Sequence, residues 1–120
     1  MSVAANIVIV LIALLHLWFL VLEMFLWTHP AGRRAFGTTA EFAEQSKALA
    51  ANQGLYNGFL AAGLVWGLLL GSGGAGFSVK LFFLSCVLIA GIYGGLTAAR
   101  KILSFQALPA LIALVLIHLV

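Results

Sequence analysis

One hundred and twenty residues suffice for one domain, yet 64% of them are hydrophobic and 8% charged, and the mean hydropathy is +1.19. A soluble fold of this size has too little interior for so much apolar surface, because small domains bury only about two-thirds of what the unfolded chain exposes, so the solvent is lipid. Six Lys and Arg against three Asp and Glu give a net charge of +3, too few and too scattered for a nucleic-acid surface despite an isoelectric point near 9.5, while a single cysteine, Cys86, excludes a disulfide framework, a CxxC pair and a thiolate metal site.

Apolar stretches of about 17 to 25 residues can cross a bilayer as helices. The first runs from about Ala5 to Thr28. It has neither the basic head nor the cleavage site of a signal peptide, and His16 and Glu23 interrupt its apolar run, so it is expected to stay attached. Next comes HPAGRRAFGTTAEFAEQSKALA, a polar connection broken by Pro30, Gly32 and Gly37. Thr38 followed by Glu41 fits a capping box, predicting a helical lead-in with Phe42, Leu49 and the alanines on one side and Glu41, Glu44 and Lys47 on the other.

The second span is expected at about Ala50 to Gly71, GSGGAG at Gly71 to Gly76 is a short flexible turn, and the third span covers Phe77 to Ala99. Arg100 and Lys101 make the third connection, and the fourth span runs from Ile102 to Val120, with no tail expected beyond it. The predicted fold is an all-α membrane protein of one domain over residues 1–120, an antiparallel four-transmembrane-helix bundle with a short amphipathic lead-in before helix 2. Lys and Arg concentrate in cytoplasmic loops. Arg33, Arg34, Lys47, Arg100 and Lys101 fall in the first and third connections and Lys80 on the opposite side. Both termini are therefore expected outside and those two connections in the cytoplasm, with the bacterial inner membrane the expected location.

Polar side chains inside spans cost free energy in lipid and usually face protein or a wet cavity. At about 1.5 Å per residue, Glu23 would lie roughly 8 Å inside the cytoplasmic end of helix 1, with Gln106 on helix 4 and Tyr93 on helix 3 at similar depth. Gln53 and Asn57 form an i,i+4 pair on helix 2, flanked by Asn52 and Tyr56. His16 precedes Glu23 by two turns, so His16, Glu23 and Trp27 would make a column on one face. Polar groups from four helices at one level point to a pocket lined by His16, Glu23, Gln53, Tyr56, Asn57, Tyr93 and Gln106; the competing reading is interhelical glue, with Glu23 a structural carboxyl.

Gly54, Gly58 and Ala62, then Gly63, Gly67 and Gly71, and Gly91 with Gly95 recur every four residues, a spacing that lets membrane helices approach within the bundle or through glycine faces in a homo-oligomer. No metal site is expected. His16 and His118 would differ in depth by roughly 7 Å, without an HxxxH, ExxH or cysteine cluster beside them. His118 reads as interfacial and His29 as a loop residue. No serine nucleophile motif or phosphate-binding glycine loop is present.

FLWTHPAGRRAFG (Phe25 to Gly37), EFAEQSKALAANQGLYNGFLAAGLVWG (Glu41 to Gly67) and RKILSFQALPALIAL (Arg100 to Leu114) closely resemble domain of unknown function family 1304, over nearly the whole chain. NQGLYNGFLAAG (Asn52 to Gly63) is the most specific part. The resemblance implies a four-span integral membrane protein and brings no reaction, ligand or cofactor. ANQGLYNG is also faintly similar to the A-H-x-G-x-x-N-G run of small membrane haem-dependent epoxide isomerases, but Asn52 stands where that pattern has histidine, so haem is not carried over.

The leading functional expectation is a pocket in the cytoplasmic half that binds a small amphiphilic or lipophilic molecule, with membrane lipids as partners and no nucleic acid. Glu23 would be its acid or base if it catalyses, and Arg33, Arg34, Arg100 and Lys101 at its mouth would suit an anionic head group. One alternative is a proton-coupled small-molecule transporter using Glu23. The other is a structural or accessory membrane subunit without a ligand.

Overall fold

The computed structural model describes residues 3–119, so Val120, the expected end of the fourth span, lies outside the described residues. In chain order these form α1 (Val3–Met24), α2 (Pro30–Phe36), α3 (Ala40–Leu70), α4 (Gly74–Thr97), a π-helical turn (Leu103–Ala107) and α5 (Leu108–His118). The protein is an all-α membrane protein. α1, α3 and α4 are each long and apolar enough to cross a bilayer, and only 28% of the apolar stretch of each is buried. Leu17, Trp18, Phe59, Ile89 and Leu96 are among the large side chains facing outward, a surface that suits lipid and would aggregate in water.

The contacts divide the chain into two compact units, each drawing on part of α1 and part of α3. The first takes in the chain through Ala13 and from Leu60 onward. Its core brings Ala5, Ile9, Ile12 and Ala13 of α1 together with Leu64 of α3, Leu84 and Val87 of α4, and Ala110, Ala113 and Ile117 of α5. On α1, α4 and α5 these recur mainly at three- and four-residue steps, one buried stripe per helix. Small residues set the spacing: a Cβ on Gly91 would come within 2.6 Å of the Ala107 backbone nitrogen, one on Gly67 within 2.8 Å of Lys80 Cγ, and one on Gly95 would overlap Leu103. These contacts make α3 antiparallel to α4, and α4 antiparallel to the π turn.

Pro109 explains the π turn. Its ring has no N–H to donate and would press on the carbonyl four residues back, so the helix widens just before it and the Leu108 N–H reaches back to the Leu103 carbonyl. The expected fourth span is accordingly the shorter apolar helix Leu103–His118. Five π and eleven α residues reach about 24 Å, short of a core of about 30 Å, so a crossing here needs bilayer thinning or anchored ends.

Leu14–Phe59 form the second unit. The stretch after Thr28, expected as a loop, contains the seven-residue helix α2, with Pro30 in its first turn and Gly37 in the left-handed conformation (φ 66°) just past its end. Proline at the start and glycine at the stop mark a helix as well as a loop. Arg33 and Arg34 in its last turn complement the helix dipole. The expected cap at Thr38 moves by one residue: Thr39 Oγ1 accepts the Phe42 N–H at 3.1 Å, and α3 then runs for 31 residues without a break. At roughly 46 Å it outruns a bilayer core, so the amphipathic lead-in and the second span are one helix. In that lead-in Ala43 is buried while Phe42 and Leu49 face outward.

Candidate functional site

Within the second unit, Leu20, Glu23 and Met24 on α1 face Gly54, Asn57 and Gly58 on the antiparallel α3. Both trios follow the i, i+3, i+4 rule that stacks side chains on one helix face. Glycine makes the approach possible. A Cβ on Gly54 would sit 2.7 Å from Met24 Cγ, 3.0 Å from Glu23 Cβ and 3.2 Å from the Leu20 carbonyl oxygen. Across this contact the Asn57 side-chain amide donates to Glu23 Oε1 at 2.5 Å. Among the described residues the second carboxyl oxygen has no protein partner, and both residues are only partly buried.

Glu23 occupies a different depth from the one expected. α1 ends at Met24 rather than Thr28, which puts Glu23 in the final turn of the helix instead of roughly 8 Å inside it. The cause lies in the next residues, where the Leu26 N–H skips to the Val21 carbonyl and the His29 N–H turns back to Leu26. The His16, Glu23, Trp27 column breaks for the same reason. Trp27 lies beyond the helix, where its indole N–H donates to Ser46 Oγ at 3.0 Å and its ring packs 5.0 Å from Phe36. At a helix C-terminus a carboxylate meets the negative end of the dipole, so the Asn57 amide also offsets that repulsion.

The remaining predicted site residues have varied surroundings. His16 is fully buried, with its ring edge-on to Phe19 at 5.5 Å. Gln53 is exposed and Tyr56 is 52% exposed. In the first unit Tyr93 is 71% exposed, while Gln106 is partly buried within the π turn. Of the seven, Glu23 and Asn57 are joined directly by a hydrogen bond.

Sequence reading missed Lys80. Taken as a topological charge, it is buried and its ammonium donates to the Gly71 carbonyl at 3.2 Å, capping the C-terminal end of α3 where Gly71 turns left-handed (φ 82°). His118, expected at an interface, is exposed. Its Nδ1–H donates to the Leu114 carbonyl at 2.6 Å, and its ring stands edge-on to Phe77 beside an open apolar groove lined by Leu81, Ser85, Leu114, Val115 and Leu119. Among the described residues no three His, Cys, Asp or Glu side chains converge as a metal site would require.

Comparison with known proteins places the chain in a family. The profile of the family described as "Protein of unknown function (DUF1304)" matches residues 10–118. An uncharacterised protein, YpaA, of Lactococcus lactis subsp. lactis (strain IL1403) is 30% identical over 117 residues, covering 96% of this chain and 97% of the relative. No solved structure matches. With a helical architecture suited to lipid and a match spanning almost its whole length, this membrane protein belongs to the DUF1304 family of proteins of unknown function.

Proposed function

We propose that this membrane protein binds a small amphiphilic molecule at the helix end built by Glu23 and Asn57, taking it from the cytoplasmic leaflet and recognising a hydrogen-bond donor in its head group. The half-satisfied carboxyl carries this reading. One oxygen accepts from Asn57, and the other has no protein partner among the described residues. A carboxylate offers about four acceptor positions, and an acceptor left unmet next to lipid is costly, so an ammonium or hydroxyl head group is favoured there. Position supports it too: the last turn of a spanning helix is where a head group would reside while its tail lies along apolar side chains such as the exposed Phe25.

The test uses a dansyl-labelled long-chain alkylamine and the protein in phosphatidylcholine nanodiscs. Saturable binding is expected for the wild type, about tenfold weaker binding for Glu23→Gln, and nearly unchanged thermal unfolding, since the glutamine carbonyl can still accept from Asn57. Equal binding by the two proteins rejects the site.

A structural reading has one observation in its favour, the direct bond itself, which ties α1 to α3 within this unit. Such contacts in membranes average about 0.6 kcal/mol. On that reading Asn57→Leu lowers stability by about this amount, and the alkylamine binds no better to wild type than to Glu23→Gln.

A further inference from the structure

The turn between α2 and α3 brings two arginines and a threonine together around one concavity. Gly37 is the left-handed stop of α2, and it allows the chain to fold back so that the Thr38 N–H donates to the Arg33 carbonyl at 3.0 Å. This is the six-to-one bond of a Schellman stop. It holds Thr38 beside the last turn of the helix, where Arg33 and Arg34 lie. Pro30, Arg33, Arg34, Gly37 and Thr38 together line a concavity of about 470 Å³.

Among the described residues neither arginine side chain has a hydrogen-bond or ion-pair partner. Glu44, one of the acids in the following helix, is paired instead with Lys47, at 2.5 Å on the exposed face. Two polar atoms in the lining, Arg33 Nε and Thr38 Oγ1, are shielded from solvent yet satisfied by no protein group. Buried polar atoms are nearly always hydrogen-bonded, so a pair of orphans in one concavity is a reason to look for the missing partner. The donors define its chemistry: guanidinium groups match a tetrahedral oxyanion bidentately, and a hydroxyl adds a third donor. Exposed Phe25, Phe36 and Phe42 belong to the same unit, apolar side chains of the kind that settle at a membrane surface.

From this geometry we propose that Arg33, Arg34 and Thr38 form a binding site for a phosphate group, carried either by a lipid head group or by a free phosphate. Arg33 and Thr38, whose Nε and Oγ1 are closed to solvent in the unliganded chain, turn toward it and donate from Nε–H with the guanidinium amino groups and from the hydroxyl. Arg34 adds charge at the rim.

Thermal unfolding of the full chain in a maltoside micelle tests this with two probes. Sodium phosphate is compared with sodium chloride at equal ionic strength, and dioleoyl phosphatidic acid with phosphatidylcholine at equal mole fraction. The wild-type Tm is expected to rise with phosphatidic acid, and the rise should need at least tenfold more probe in Arg33→Lys, which keeps the charge but loses the bidentate fork. Thr38→Val should weaken the response as well, and it carries the test if Arg33→Lys folds poorly. Lys47→Gln, at an exposed basic residue outside the concavity, should respond like wild type. A response to phosphatidic acid alone assigns a lipid head group, and a response to both probes assigns phosphate irrespective of its carrier. No response to either probe overturns the proposal, as does an undiminished response in both Arg33→Lys and Thr38→Val, or a loss in Lys47→Gln equal to that in Arg33→Lys.

Discussion

Residue by residue, the glycines show how much turns on one missing methyl group. Gly54 and Gly58 lie four residues apart on the same face of α3, yet their surroundings differ in kind. A Cβ at Gly58 would meet Leu20 Cδ1, the free tip of a side chain that can rotate away, whereas one at Gly54 would meet Met24, Glu23 and the Leu20 carbonyl together. Gly54→Ala should therefore destabilise by about 1–3 kcal/mol, the usual cost of overpacking, and Gly58→Ala by much less. Thermal unfolding in detergent checks this, and equal tolerance at the two positions would contradict the close approach beside Glu23. The spacing of these glycines marks them as packing positions in the sequence, but which one touches backbone depends on the crossing of two helices. The Glu23 to Asn57 pairing shares that dependence. Each residue stands out as a polar group in an apolar run, while a separation of 34 positions puts their contact beyond any local pattern.

The elements themselves were largely legible, because long apolar runs with polar or glycine-rich breaks have few other readings in lipid. α3 and α4 end where Leu70 and Thr97 meet such breaks, and α4 begins at Gly74, three residues ahead of the expected Phe77. What escaped was short or depended on competition between signals. α2 was hidden because Pro30 and Gly37 serve equally as loop markers, and the π turn because Pro109 displaces hydrogen bonds several residues before itself. Gly37 gives the sharper test. Its φ of 66° is costly for a residue with a Cβ and nothing crowds it, so Gly37→Ala should cost about 1–2 kcal/mol through the backbone alone. Gly74→Ala, in open space at the start of α4, should be neutral or slightly stabilising. Equal effects on thermal unfolding would remove the reason for treating Gly37 as the fixed point of the arginine concavity.

For the whole molecule, composition alone identifies a membrane protein, and the outward apolar faces of α1, α3 and α4 agree. Composition does not decide which end is which. That expectation rests on the five Lys and Arg of the first and third connections against Lys80, and Lys80 itself is buried as a helix cap. The leaflet assigned to the Glu23 and Asn57 site depends on this orientation. The most direct test is thiol labelling in intact cells with an impermeant maleimide. Cys86 is first replaced by serine, and single cysteines are placed at Arg33 and at Ser72 in the turn between α3 and α4. Ser72→Cys should label from outside and Arg33→Cys only after permeabilisation; labelling of Arg33→Cys in sealed cells, with Ser72→Cys protected, would contradict the account.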